Sequence, residues 1–223
     1  MANSFTPAKV IKFDGALLKE RQGDVSDKIA RALLQDLSLS HMPPSPVIHD
    51  NGCGYGAVTM AVMASDLPTG FRIHATDVNA MLLAELEATL AQNPTWPVKV
   101  ATMDAFALTF PDNTFDLSVA TFVFAGLHDD VAALSHVRRT LKPGGTGAIA
   151  VWKDIPFRTA LEHAHHRLRG ADEPLPPFMG IPWYSTNELA IDAKAAGWSP
   201  EEIEFVEKDE WLSQGPWHRV DDE

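Results

Sequence analysis

The sequence predicts an α/β fold, a doubly wound and mainly parallel sheet in one domain. The first observation is alternation: short apolar runs and segments of helical period follow one another from Val25 to Trp152. Strands that alternate with helices imply βαβ units, whose crossovers are right-handed and place helices on both faces of a sheet. The second is punctuation, with breakers at Pro43-Pro44, Pro111-Asp112-Asn113 and Pro143-Gly144-Gly145 between the runs. The third is composition: 223 residues, 45% hydrophobic and 22% charged, suit one globular domain with a real core.

The elements follow in order. Asp24 to Leu37 carries Val25, Ile29, Ala32, Leu33 and Leu37 at helical spacing, with Asp24 or Ser26 as N-cap. Val47-Ile48-His49 is a strand running into a glycine-rich turn, and Ala57 to Ala64 is the next helix. Phe71 to Thr76 is a strand, Asn79 to Gln92 a helix, and Val98 to Thr102 and Phe115 to Thr121 are strands. Val131 to Leu141 is a helix stopped by Pro143-Gly144-Gly145, and Thr146 to Trp152 is a strand. Beyond Lys153 the pattern gives helices over Thr159 to Arg169 and Thr186 to Ala196, and a strand over Glu202 to Glu207. In the acidic segment from Glu201 to Glu210 and the Trp211 after it, Ile203, Phe205 and Trp211 form an apolar face that packs on the sheet, so the segment is expected as a strand or extended edge of the domain. Gly215 to Glu223 reads as a loosely held polar tail.

Charge and cysteine usage exclude several classes of partner. The net charge of -12 repels phosphate backbones and anionic membranes. Arg138, Arg139 and Lys142 make too small a basic patch to offset it and suit a helix C-terminus. Cys53 is the sole cysteine, which rules out an intrachain disulfide and fits a reducing compartment. Met1 to Val10 lacks the pattern of a secretory signal, and no apolar run approaches the length of a membrane span. The expected location is the cytoplasm, with a small-molecule substrate, no nucleic acid, no membrane, and a homodimer as the candidate assembly.

Asp50-Asn51-Gly52-Cys53-Gly54-Tyr55-Gly56 stands between a strand and a helix. Glycines there let the backbone turn sharply and approach a ligand, and the helix N-terminus offers free N–H groups. Gly52, Gly54 and Ala57 also satisfy the dinucleotide pattern, with Asp77 at the right distance for a ribose. Asp50, however, puts a carboxylate where a pyrophosphate would be repelled. It suits a cationic ligand such as S-adenosylmethionine, which carries an ammonium and a sulfonium and no phosphate.

From Val47 to Trp152 the chain resembles the class I methyltransferases, Rossmann-like enzymes. The likeness is to small-molecule enzymes of the ubiquinone-biosynthesis type and their fungal secondary-metabolism relatives. The resemblance rests on Val47 to Thr59 as the D-x-G-x-G-x-G motif, Ala75-Thr76-Asp77-Val78 and Met103-Asp104-Ala105. It rests further on Phe110 to Asp116 and Leu141-Lys142-Pro143-Gly144-Gly145. It implies S-adenosyl-L-methionine as cofactor, held by Asp50, Asn51, Gly52, Cys53, Gly54, Asp77, Val78, Asp104, Ala105, Thr121 and Phe122. Asp50 would attract the methionine ammonium. Asp77 would accept from the ribose hydroxyls, Asp104 from the adenine amino group, and the Ala105 N–H would donate to the ring. Thr121 and Phe122 would line the methionine end. Tyr55 is bulkier than the family's usual residue and is expected to cover the methionine or narrow the site. The family ends its sheet with an antiparallel hairpin, and one strand candidate here implies a shortened one.

On the acceptor side, His128, next to Asp129, is the candidate general base, since an imidazole titrates near neutrality. Glu162, His163, His165 and His166 lack a zinc signature and read as a solvated helix face, so no metal is expected. Phe157, Phe178, Trp183, Tyr184, Trp198, Trp211 and Trp217 collect late in the chain and suit an apolar acceptor or ordinary packing. No nucleophile elbow for hydrolysis is present. The expected domain has an N-terminal helical segment (1–46), a cofactor core (47–152) and substrate-side helices with the C-terminal edge (153–223). The expected function is methyl transfer to an O, N or S atom of a small organic molecule. The alternatives are an NAD(P)-binding oxidoreductase, which Asp50 disfavours, and a non-catalytic binding protein on the same fold.

Overall fold

A computed structural model of the chain describes residues 24–37, 39–124, 129–153, 156–175 and 186–209. Five parallel strands, β1 Val47–Asn51, β2 Arg72–Asp77, β3 Val98–Thr102, β4 Phe115–Thr121 and β5 Leu141–Ala150, lie in the order β3-β2-β1-β4-β5. The chain winds outward from β1 to β3 and then returns to the other side of β1. That reversal opens a crevice between the C-terminal ends of β1 and β4, the place where open α/β sheets bind ligands.

Helices α1 (Val25–Asp36), α2 (Ala57–Met63) and α3 (Ala80–Gln92) precede or connect the first three strands. Helices α4 (Asp130–Thr140), α5 (Pro156–Arg169) and α6 (Thr186–Ala195) follow β4 and β5. Side chains alternate across the sheet. Ile48, Ile73, Leu117 and Val119 pack with Ala30 and Leu34 of α1 and Val58 and Val62 of α2. Phe115 and Ala120 pack with Ala133, Leu134 and Val137 of α4 and Ala193 of α6. Parallel strands covered on both faces read as near-continuous apolar runs, which is how β4 appears in the sequence.

The β3–β4 crossover is a loop rather than a helix, and α4 holds it in place. The Arg139 guanidinium donates to the Phe110 carbonyl at 2.7 Å, to the Leu108 carbonyl, and to the Asp112 carboxylate at 3.0 Å. Under this loop His49 is fully buried between neighbouring strands. Its Nε2 lies 2.9 Å from Thr76 Oγ1 on β2, its Nδ1 lies 3.3 Å from Ser118 Oγ on β4, and its ring stacks on Phe115 at 4.6 Å. Burial, assisted by nearby His74, pulls its pKa down to about 3, so the ring is neutral at physiological pH.

Asp116 shows that one family-like motif serves the scaffold. Its Oδ2 accepts from the Val47 N–H at 2.8 Å and from Lys142 Nζ at 2.6 Å. All of these residues sit at the N-terminal end of the sheet, away from the crevice. The expected stop at Pro143-Gly144-Gly145 lies inside β5. Between the pairs Phe115↔Leu141 and Leu117↔Thr146 the register shifts, so the extra residues form an irregularity in a strand at the sheet's edge. An edge strand tolerates a proline's missing N–H.

The expected strand over 202–207 is absent. Pro200–Glu202 is a 3-10 turn in which the Glu202 carboxylate accepts from the Ser199 N–H at 2.7 Å. Residues 203–209 join no ladder, and Phe205 is 43% exposed. Ile203 alone of that stretch packs on the core. The rest is tied by surface ion pairs, Glu207 with Lys153 at 2.6 Å and Lys208 with Asp36 at 3.0 Å. Glu204, Glu207 and Asp209 favour hydration over a β ladder. The Gly215 to Glu223 tail lies outside the described residues. Among the described residues, no helix is long and apolar enough to cross a membrane.

Candidate functional site

The crevice is shaped by the turn between β1 and α2. The Gly52 and Cys53 N–H groups donate to the Thr76 carbonyl at 2.8 and 2.9 Å, which straps the turn to the end of β2. Gly52 has φ +71°, and a Cβ there would lie 2.2 Å from Val123 Cγ2 beyond β4. Gly56, with φ +95°, sits against Leu86 of α3, where a Cβ would approach to 2.6 Å. Only glycine accommodates both the conformation and the close approach.

Three polar side chains stand at these strand ends. Asp77 Oδ2 accepts from the Gly54 N–H at 2.8 Å, and its Oδ1 accepts from the Asn79 N–H at 2.7 Å. Asn79 in turn caps α3 by accepting from the Met81 N–H at 3.1 Å. A carboxylate has about four acceptor sites, so the half-buried Asp77 keeps capacity for a diol. Asp50 is buried, and its Oδ2 accepts from the Thr59 N–H at 2.9 Å and the Thr59 hydroxyl at 2.7 Å. Burial raises its pKa to about 6, against the opposing pull of those bonds. The Asp77 charge adds to the rise. Asn51 is 1% exposed, and neither its amide nitrogen nor its oxygen has a partner. A buried carboxamide left unpaired is costly, and a polar ligand at the strand end would relieve it. These groups fit a ligand that carries a cation, a ribose and no phosphate.

The remaining predicted residues lie at the same end of the sheet. Val78 is 64% exposed just past β2. Asp104 is exposed beyond β3, its Oδ1 accepting from the Phe106 N–H at 2.9 Å, and Ala105 is buried beside it. Thr121 and Phe122 are half-buried at the end of β4. Cys53 is buried against Ala75, Leu83 and Leu86. Burial and the Asp50 and Asp77 charges push its thiol far up, so it serves packing rather than nucleophilic chemistry. His128 lies outside the described residues.

Tyr55 corrects an expectation. It points into the core with Ala30 and Leu34 of α1 and is 6% exposed. It braces the glycine turn from behind and does not cover the crevice. Of the late aromatics, Trp198 packs at the edge of the α4 core, with Arg138 5.7 Å from its ring centre. Phe178, Trp183, Tyr184, Trp211 and Trp217, and the side chain of Phe157, lie outside the described residues. Among the described residues, no three His, Cys, Asp or Glu side chains group to hold a metal.

Two neighbours of the crevice escaped the sequence reading. Trp152, just past β5, stacks on Phe122 with ring centres 4.2 Å apart and planes 8° apart. Val123 closes on Gly52. Neither has a local signal, because each gains its role from a strand brought alongside by the fold.

Comparison with known proteins agrees with this geometry. Residues 49–149 match a family model described as a methyltransferase domain. The 2-methyl-6-phytyl-1,4-hydroquinone methyltransferase of Synechocystis sp. is 33% identical over 123 residues, 54% of this chain and 36% of that protein. A ubiquinone/menaquinone biosynthesis C-methyltransferase of Cupriavidus metallidurans is 32% identical over 124 residues, 53% of this chain and 50% of that protein. The chain thus aligns with half the length of these relatives or less. Among solved structures, a SAM-dependent methyltransferase from Aquifex aeolicus superposes with TM-score 0.60 at 21% identity, covering 83% of this chain and 89% of that one. A [4+2]-cyclase superposes with TM-score 0.58, also at 21% identity, covering 77% of this chain and 56% of that one. With the crevice at the β1–β4 switch point and its glycine turn flanked by Asp50 and Asp77, residues 49–149 match a methyltransferase domain and resemble the class I S-adenosylmethionine-dependent methyltransferases.

Proposed function

We propose that the chain transfers a methyl group from S-adenosylmethionine to a small organic acceptor. The observation that carries this reading is the pairing of Asp50 and Asp77 at two adjacent strand ends, with the unpaired Asn51 carboxamide beside them. Asp77 would take the ribose hydroxyls, Asp50 the methionine ammonium, and the turn beyond β3, with Asp104 and Ala105, the adenine. The bound cofactor supplies an electrophilic methyl on sulfur, and the protein supplies position and charge complementarity. His128 is the candidate base for an acceptor that must lose a proton.

The expected acceptor atom is O, N or S. The relatives named for hydroquinone and quinone-pathway methylation add a ring carbon to that set. The segments 1–46, 47–152 and 153–223 act in this reading as one unit, in the cytoplasm, with secondary metabolism as the context and a homodimer as the assembly. A non-catalytic or non-methylating role is the second reading, favoured by the [4+2]-cyclase that shares the fold.

The test is transfer of labelled methyl from S-adenosylmethionine to a panel of phenols, amines and thiols, with release of S-adenosylhomocysteine measured. Asp77→Ala should abolish turnover at ordinary cofactor concentration by weakening binding roughly a hundredfold, the worth of two charge-assisted hydrogen bonds. Tight S-adenosylhomocysteine binding without any turnover would favour the second reading.

A further inference from the structure

We propose that Phe122 and Trp152 form a stacking shelf for a flat, neutral, π-electron-rich acceptor, a substrate class that rests on the methyl-transfer reading above. Among the described residues, the non-glycine positions with positive φ are Ser45, Asn113 and Phe122. Ser45 and Asn113 are small polar residues of Pro-containing turns, where such a conformation is common. Phe122 is bulky and stands at the end of a strand with φ +59°. A bulky residue held there is a genuine outlier, and such outliers cluster at ligand sites.

That backbone presents its ring to Trp152. The two rings are nearly parallel, 4.2 Å apart and 8° from coplanar alignment, and the Phe122 N–H donates to the Ala150 carbonyl at 2.8 Å. Core packing does not account for the pair. Their neighbours Val123 and Val151 pack on the apolar cluster of the α4 face, whereas Phe122 and Trp152 lie outside every core cluster and both are half-buried.

The position selects the acceptor rather than the cofactor's base. The expected adenine turn follows β3, at one end of the order β3-β2-β1-β4-β5, and the shelf joins β4 to β5 at the other. Val123, next to Phe122, touches the glycine turn, so the shelf borders the donor's cradle. Lys153, next to Trp152, is paired with Glu207 at 2.6 Å, so this lysine is not free to recruit an anion. What the shelf offers is a π face, which favours offset stacking with another flat ring.

The test is calorimetric titration of the full chain with 2-naphthol, with and without saturating S-adenosylhomocysteine. Decahydro-2-naphthol, with the same carbon skeleton but puckered and without π electrons, and choline serve as comparison probes. The expected result is 2-naphthol binding about tenfold tighter than its saturated analogue, the upper range of a stacked pair. Trp152→Leu should remove that preference while S-adenosylhomocysteine affinity stays unchanged, and Trp152→Phe should restore most of it. Equal binding of 2-naphthol and its saturated analogue would overturn the shelf. So would choline binding that is lost in Trp152→Leu, which would assign the rings to a cation. Preferential 2-naphthol binding by a protein that binds no S-adenosylhomocysteine would support the shelf and overturn the donor reading instead.

Discussion

The stretch from β1 to β2 and the stretch after β5 are built by opposite means. In the first, His49, Asp50, Asn51 and Thr76 are all at most 2% exposed, though every one is polar. In the second, Leu161, Leu168, Ile191, Phe205 and Val206 are all more than 40% exposed, though every one is apolar. In the first region the hydrogen-bonded groups, His49 with Thr76 and Asp50 with Thr59, fix the strand ends, since a satisfied low-dielectric contact is stiff and specific, and the Asn51 carboxamide is left unpaired beside them. The second is held in part by surface ion pairs, which contribute little each. The difference is that the glycine-turn side is built on buried polar groups, whereas the described residues after β5 include several exposed apolar side chains.

The sharpest way to break the contrast is Gly52→Ala. The new Cβ would meet Val123 Cγ2 at 2.2 Å in a backbone conformation hostile to alanine. We expect a stability loss of about 2–4 kcal/mol in denaturant titration, from overpacking and strain together. His49→Ala should cost about 2–4 kcal/mol by the same measurement. It leaves a cavity and takes a hydrogen-bonding partner from Thr76 and Ser118.

The pH dependence separates two of the buried titratable groups, His49 and Asp50. The folded His49 has its pKa lowered from 6.5 to about 3, so acid protonates the unfolded chain first and stability falls as pH drops through that window. Asp50 is raised from 3.8 to about 6, so it works the other way: its contribution is fullest below 3.8 and is lost as pH rises to about 6. Between about pH 6 and 4 the two windows overlap and oppose each other by one proton each, so melting temperature should be nearly flat there and decline only as pH falls below about 4. In His49→Ala only the Asp50 effect remains, so melting temperature should rise as pH falls from about 6 to 4; a profile unchanged from the parent would remove His49 as the opposing group.

Phe205→Ala is the smallest effect expected, within about 0.5 kcal/mol, as for an exposed site away from caps and cores. A loss of several kcal/mol would mean that the segment after Ile203 is packed after all.

These contrasts also explain what the chain's residues disclose in advance. Local signals sufficed for β3 and β4, whose bounds match the expected ones, and for the turn at Gly52 and Gly54, where strand, glycines and helix are contiguous. Contacts between distant residues did not announce themselves. The loop before β4 depends on Arg139, far along the chain, and Tyr55 looked like a site residue because its burial depends on α1. The alternation of Ile203 and Phe205 suggested a strand, but period two marks a strand only where a ladder partner exists, and acidic neighbours favoured water instead. Phe122 was named from the family pattern, while its partner Trp152 became visible only when β4 and β5 lay side by side.

On the proposed reading, the Asp50–Asp77 cradle selects a phosphate-free, cationic nucleoside. Calorimetry of the intact chain with S-adenosylmethionine and, separately, with NAD and NADP tests it most directly. The expected result is saturable binding of S-adenosylmethionine at one site and none of either dinucleotide, because Asp50 stands where a pyrophosphate would lie. Binding of NAD or NADP with no binding of S-adenosylmethionine would contradict it.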